Sequence, residues 1–407
     1  MNILLVNQFY PPSLAPTGKY LQDLAVALAD RGHSVTVVCS RSDYGSGTAG
    51  KMVTAAERIR VIRIGAVSQV ARNLPAKAVG YAGFLAAAGW TLFRIRPRPD
   101  VVLAMTTPPW IGLAAAAAGR RSARVHWVMD LYPQVLAAHN LLREDSLAYR
   151  FLRRMTRREW RRSGLIVTPG AGMAERIRCD KLVAPDTQLE EIPLWLLDSH
   201  DPWPQGKPVP LRRERAWPAD ETVLMYSGNM GLGHEIQAFL KAALKAKPEE
   251  AWRMVFAGWG KRQAEVENFI RRHPGTRVEP LPVACPHRLR EHLASADVHL
   301  VSMRPEWSGL IVPSKVQAAF GAGRPVVFVG PQDSDPARWI RESGGGWSLP
   351  PEDEEGLLHA IRESCNPEER QRKGAAAYQY ACRCFDRDKN RALLVEWIEN
   401  CAVKRHK

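Results

Sequence analysis

Tyr226-Ser-Gly-Asn-Met-Gly-Leu-Gly-His-Glu235 closes an apolar run, Thr222-Val-Leu-Met-Tyr226, with three glycines in six positions, and a helix-like segment follows from about His234. A strand, a glycine turn and a helix in that order let backbone approach a phosphate closely, with helix-terminal N–H groups aimed at it. Glycine belongs where a Cβ would block either the turn or the ligand. The spacing is not that of the dinucleotide fingerprint, and no Walker lysine follows. On these residues alone, a phosphate cradle and a packing turn are both open.

The same rhythm continues downstream. Trp252–Ala257 reads as a strand running into Gly258-Trp-Gly260 and a polar helix. Pro286–Ala296 reads as a helix, and Asp297–Ser302 and Pro325–Val329 as strands. Between them lies Arg304-Pro-Glu-Trp-Ser-Gly-Leu-Ile-Val-Pro-Ser-Lys315, with Ser314 at a helix cap or first turn and Lys315 just inside it. A cation in a first turn is a poor match for the helix dipole. An anion shared between Lys315 and the amides is one reason for it to be there; a tolerated surface lysine is the other.

Upstream, strands alternate with helices, the pattern of a parallel sheet wrapped by helices. The expected strands are Asn2–Asn7, Ser34–Cys39, Arg60–Ile64, Asp100–Met105, Arg124–Met129 and Gly164–Thr168. A helix from near Gly18 to Arg31 places Leu21, Leu24, Ala25 and Leu28 on one face, with Gly32 ending it. Ser40 to Gly50 is expected as a surface loop. Asp130 follows a strand, and the carboxyl ends of parallel strands face the ligand crevice; it is a site candidate, with a turn or helix cap as the competing reading. The arginine-rich segment 144–162 reads as a solvated helix face, with a docking surface for an anionic lipid head group as the competing reading. From about Ile192 to Ala219, six prolines, three tryptophans and clustered charges mark an interdomain connection, and 386–401 reads as an amphipathic helix.

A length of 407 residues suggests two or three domains, and the net charge of +15 suits anionic partners. No nucleic-acid-binding module is present, and the cations are scattered rather than set in one stripe, so no nucleic-acid partner is expected. Seven scattered cysteines read as free thiols in a reducing compartment. The first residues read as a strand, not a signal peptide. Ala78 to Phe93 carries no charge, but it is shorter than the about 20 residues a span needs. A buried or interfacial helix is expected there, with the Arg94-x-Arg96-x-Arg98 rim suited to anionic head groups.

The ordered pieces resemble a known family. They are Met1–Tyr10 with Thr17-Gly18; Leu28-x-x-Arg31-Gly32-His33-x-Val35; Asp100-Val-Val with Thr107-Pro-Pro109; Asp130-Leu-Tyr-Pro133; Tyr226–Gly231; Gly258-x-Gly260; Ala296-Asp297-Val298; and Val312–Lys315 leading to Gly323-Arg-Pro-Val-Val327. Over nearly the whole chain they resemble a GT-B-fold, family 4 glycosyltransferase of the bacterial cell-surface polysaccharide kind. The resemblance implies two Rossmann-like, doubly wound α/β domains facing a central cleft. Residues 1–195 would bind the acceptor, 196–219 link, 220–385 bind the nucleotide sugar, and 386–407 form a helix crossing back to the first domain.

It further implies a nucleotide-diphosphate sugar donor, a lipid-linked or polysaccharide acceptor, and retention of configuration without a cofactor or metal. Gly228, Asn229 and Gly231 would approach the diphosphate, Gly258 and Gly260 line the nucleotide side, and the backbone near Val283 meet the base. Lys315, Arg304 and the amides near Ser314 would neutralise the departing diphosphate. Thr17 and Gly18 would sit at the acceptor, with Asp130 or His139 near its hydroxyl. The implied location is peripheral, at the inner face of the cytoplasmic membrane.

Two departures from the family pattern stand out. The usual glutamate pair falls on Leu310 and Ala318, leaving Glu306 as the nearby acid. His234 and Glu235 stand where a cation is usual, so Arg304, Lys315, Lys261 or Arg262 must supply the positive charge. A non-catalytic GT-B partner protein is therefore the alternative, and a nucleotide-sugar epimerase ranks below it.

Overall fold

The computed structural model describes residues 1–13, 15–41, 58–65, 74–118, 121–197, 202–204 and 206–406. The expected Ser40–Gly50 loop lies outside them, apart from Ser40 and Arg41. The chain divides into two compact units, one of residues 1–193 with 387–407 and the other of residues 194–386.

The first unit is built on β1 (Asn2–Val6), β2 (Ser34–Ser40), β3 (Ile59–Ile64), β4 (Val101–Ala104), β5 (Ala123–Trp127), β6 (Leu165–Thr168) and β7 (Gln188–Glu191). All pair in parallel in the order β3-β2-β1-β4-β5-β6-β7, with Ile3 of β1 opposite Val35 on one side and Val101 on the other. The first helix runs Pro16–Asp30, two residues earlier than expected, because Pro16 supplies the preset φ that suits a first helical position. Its predicted stripe of Leu21, Leu24, Ala25 and Leu28 is fully buried, each leucine contributing roughly 2 kcal/mol of apolar burial. Gly32 follows the cap with φ +88°, the left-handed conformation that favours glycine.

The helix Leu74–Arg94 buries Phe84, Ala88 and Leu92 and leaves Val79, Trp90 and Phe93 in solvent. Among the described residues no helix is long and apolar enough to cross a membrane. The last helix, Arg387–His406, packs into this unit through buried Leu394, Val395 and Ile398. The Arg387 guanidinium pairs with Asp23, and His33 lies 2.8 Å from Glu399.

The second unit repeats the plan with β8 (Thr222–Ser227), β9 (Trp252–Ala257), β10 (Val278–Leu281), β11 (Val298–Ser302), β12 (Val326–Val329) and β13 (Gly346–Leu349), all parallel in the order β10-β9-β8-β11-β12-β13. Leu224 and Tyr226 join one apolar cluster with Phe239, Phe256 and Ile361, while Val223 and Met225 join another with Val255 and Trp217. Alternate residues of one strand thus enter cores on opposite faces, which is what double winding requires.

The described residues of the expected connection 196–219 group with the second unit. Trp217 is a core residue, and its indole N–H donates to Glu279 at 2.9 Å. In both sheets the strand order reverses once, between β1 and β4 and between β8 and β11. Such a reversal opens a crevice at the strand carboxyl ends.

Candidate functional site

In the second unit, the β8–β11 reversal places Gly228 immediately after β8 and Arg304 two residues after β11. The glycine turn rests on the next loop. Gly228 N–H donates to Ala257 O at 2.8 Å, Met230 N–H to Trp259 O at 2.6 Å, and Arg262 N–H to Met230 O at 3.0 Å.

That packing gives Gly258 and Gly260 a local reason to be glycine. A Cβ on Gly258 would stand 2.1 Å from Gly228 O, and one on Gly260 2.5 Å from Met230 O. Both residues also hold φ near +140°, where side chains are strained. Their glycine identity therefore comes from the neighbouring turn. The helix expected from His234 starts at Gln237, and the intervening backbone is a turn tied by Glu235 N–H to Ser302 Oγ at 3.0 Å.

Lys315 opens the helix Lys315–Gly321, with Ser314 exposed at the cap and its side chain unused there. The lysine reaches the glycine turn. Its Cε lies 3.5 Å from where a Gly228 Cβ would be, its ammonium donates to Asn229 O at 3.2 Å, and it sits 5.0 Å from the centre of the Tyr226 ring. His234 completes the cage, its Nε2 3.2 Å from Lys315 Nζ and its Nδ1 2.7 Å from Ser302 O. A carbonyl only accepts, so Nδ1 carries the proton and Nε2 offers its lone pair to the lysine.

Burial pushes Lys315 down to about 7. Burial, together with the adjacent Lys315, holds His234 down at about 3, so the imidazole is neutral. The site therefore holds one cation that a small change in surroundings switches. His234 went unassigned in the sequence; the available signal was its place one residue past the last glycine of the turn.

Of the other expected cations, Arg262 and Arg304 are engaged, and Lys261 is exposed. Arg262 binds Glu265 at 2.7 and 3.0 Å and also the carbonyl of His234, which braces the turn. Arg304 N–H donates to Gly233 O at 2.9 Å, while its half-exposed guanidinium turns to Glu306 at 3.2 Å. Glu306 is likewise exposed. Leu310, at one of the usual glutamate positions, is buried. Val283 is half-exposed two residues past β10, whose Leu281 carbonyl accepts from Gly258 N–H at 3.1 Å. A separate cavity of about 910 Å³ in this unit is lined by Arg212, Arg324 and Arg370 among others. These three guanidinia are bound to Asp297, Ala294 O and Thr222 Oγ1.

In the first unit, the β1–β4 reversal holds Asn7 and Gln8, both fully buried. Asn7 Oδ1 and both Gln8 amide atoms have no hydrogen-bond partner among the described residues. Such groups cost roughly 1–3 kcal/mol each when left unmet. Thr17 Oγ1 lies 3.5 Å from Asn7 Nδ2. A Cβ on Gly18 would sit 3.1 Å from the backbone of Phe9 and Tyr10.

Asp130 follows β5, its N–H donating to Thr106 Oγ1 at 3.2 Å. Burial pushes its carboxyl up to about 6, and that carboxyl caps no turn among the described residues. His139 stands at the carboxyl cap of the helix Gln134–Ala138.

A family model described as a glycosyl transferase 4-like domain matches residues 17–195. A protein of Pseudomonas aeruginosa described as the probable glycosyltransferase WbjE is 30% identical over 275 residues, which is 66% of this chain and 66% of its own length. The chain belongs to the family 4 glycosyltransferases. Among solved structures, sucrose-phosphate synthase from Thermosynechococcus elongatus matches this family 4 chain with a TM-score of 0.76 at 15% identity over 98% of each chain. HepE of Anabaena, in complex with UDP-glucose, matches at 0.70 and 16% identity over 98% of this chain and 100% of that one. At such identities the likeness establishes the fold, which is GT-B.

Proposed function

We propose that this chain moves a hexosyl or N-acetylhexosaminyl group from a nucleotide-diphosphate sugar to a lipid-linked or polysaccharide acceptor in cell-envelope glycan assembly, with retention of configuration. The observation that carries the reading is the closure of Lys315 onto the Gly228–Asn229 turn at the strand reversal of the second unit. In this reading the turn and the Ser314 amides border the diphosphate, and the backbone near Val283 meets the base. The anomeric C–O bond to the diphosphate breaks, and the acceptor oxygen forms the new bond on the same face. Lys315 and Arg304 offset the charge left on the diphosphate, preorganised donors being worth most where charge develops. Asp130, raised by burial, takes the acceptor proton, and Thr17, Gly18 and His139 border the acceptor. No metal or cofactor is assigned a role.

Peripheral membrane contact is part of the same proposal. Val79, Trp90 and Phe93 form an exposed apolar stripe, and Arg94 lies 4.4 Å from the Trp90 ring. An apolar face rimmed by arginines suits an anionic bilayer interface. The test is a panel of nucleotide sugars, UDP-glucose first. The donor should raise the melting temperature and be consumed once a polyprenyl-diphosphate sugar is added; binding without consumption across the panel counts against transfer. Weak or absent nucleotide binding would favour the non-catalytic alternative, to which the exposed, arginine-paired Glu306 and the absence of the glutamate pair lend support.

A further inference from the structure

Trp259 stands in solvent, 45% exposed, just past the carboxyl end of β9. Single exposed apolar residues are ordinary. What sets this one apart is how its backbone is held. Its carbonyl accepts Met230 N–H at 2.6 Å. Before it, Gly258 N–H donates to Leu281 O at 3.1 Å; after it, Gly260 O accepts Gln263 N–H at 3.1 Å. The indole therefore stands on a fixed base, yet among the described residues it has no hydrogen-bond partner, no ring against it and no cation over it. A rigid, unspent aromatic face loses little freedom when it takes a ligand.

The register of the second sheet decides what lies beside it. Ser227 of β8 is opposite Ala257 of β9, and Ala257 is opposite Leu281 of β10. Counted on in the same register, Gly228 falls beside Gly258, and Trp259 beside Val283. Val283 is also half-exposed, and its backbone N–H and C=O make no hydrogen bond among the described residues. Three neighbouring strand ends thus present, in order, the glycine turn closed by Lys315, an indole face, and an open backbone donor and acceptor.

Parallel strands lie about 4.8 Å apart, so the turn after β8 and the open backbone after β10 are separated by two spacings, roughly 10 Å. A nucleoside diphosphate is laid out on the same plan. Its phosphates and its base lie on opposite sides of a ribose, the base has a flat π-face, and its rim carries donors and acceptors. Stacking on an indole suits any base, while hydrogen bonds to the rim choose among bases.

We propose that the indole of Trp259 is the platform on which the donor's nucleobase stacks, with the open backbone at Val283 contacting the rim of the base. This rests on the donor reading proposed above and names the side chain that holds the base.

The full chain is titrated calorimetrically with inorganic pyrophosphate and with UDP, GDP, ADP, CDP and dTDP. The native chain should bind at least one nucleotide about tenfold or more tightly than pyrophosphate. Trp259→Ala should weaken that nucleotide about tenfold or more, the scale of one base–aromatic stack, and leave pyrophosphate within about twofold. Trp259→Phe, which keeps a ring, should lose less than Trp259→Ala. The melting temperature of each variant checks its fold. Nucleotides that bind no better than pyrophosphate, equal losses of both ligands in Trp259→Ala, or no loss in that variant would overturn the stacking role and leave the diphosphate reading standing. If neither pyrophosphate nor any nucleotide binds the native chain, both fall.

Discussion

Lys315 is the most informative group to perturb. With its ammonium held at about 7, it is half protonated at pH 7 in the unliganded protein. A bound diphosphate would return it toward the ordinary lysine value near 10.4. Binding then takes up about 0.5 proton at pH 7 and about 0.9 at pH 8, and affinity falls about tenfold, or about 1.4 kcal/mol, per pH unit above 7.5. The diester phosphates of a nucleotide-diphosphate sugar do not titrate in this range. Among the groups facing Lys315, His234 is held neutral, while Tyr226 and Arg262 are both raised, so none competes for the proton.

The assay is calorimetric titration of UDP-glucose in two buffers of different ionisation enthalpy, from pH 6.5 to 9, on the native chain and on Lys315→Met. The variant should bind more weakly at pH 6.5 and show no pH slope. The stability sign is opposite to the binding sign. The native state binds fewer protons than the unfolded chain between pH 7 and 10, so unliganded stability rises across that window, and Lys315→Met should melt higher than the native chain at pH 7. A flat affinity in the native chain without proton uptake would refute the reasoning.

Gly258→Ala forces a Cβ to 2.1 Å from Gly228 O at a φ of +140°. Strain and overpacking together cost about 3 kcal/mol or more, which scanning calorimetry should read as a fall of roughly 6–12 °C in the second unit. Asp130→Asn should lower sugar transfer by roughly 10²-fold or more while leaving UDP-glucose affinity unchanged. In the native chain, transfer should rise through pH 6 as the carboxyl ionises. Because burial disfavours that charge, the asparagine variant should also melt higher at pH 8, and equal melting would argue against a desolvated carboxyl. Trp90→Ser/Phe93→Ser should abolish sedimentation with phosphatidylglycerol vesicles and leave the melting temperature unchanged, since both rings are already in solvent.

The sequence alone determined the two-fold βα rhythm, the parallel sheets and the candidate anion turn. Central strands such as Leu224–Tyr226 are buried on both faces and so read as unbroken apolar runs, and the stripe on Pro16–Asp30 repeats at helical spacing. The strands that escaped were β7, β10 and β13. All three are edge strands, half-exposed and therefore free of such runs, and β10 even carries Pro280, which an edge tolerates. The composition of 196–219 suggested a connection because prolines and charges dominate it, yet Trp217 among them is core.

Only the tertiary structure decided that Gly258 and Gly260 pack against the Gly228 turn and that His234 offers its lone pair to Lys315. Local pattern records which face of an element meets the core. Pairings between residues 30 to 80 positions apart depend on how strand order brings loops together, and no period in the chain encodes that.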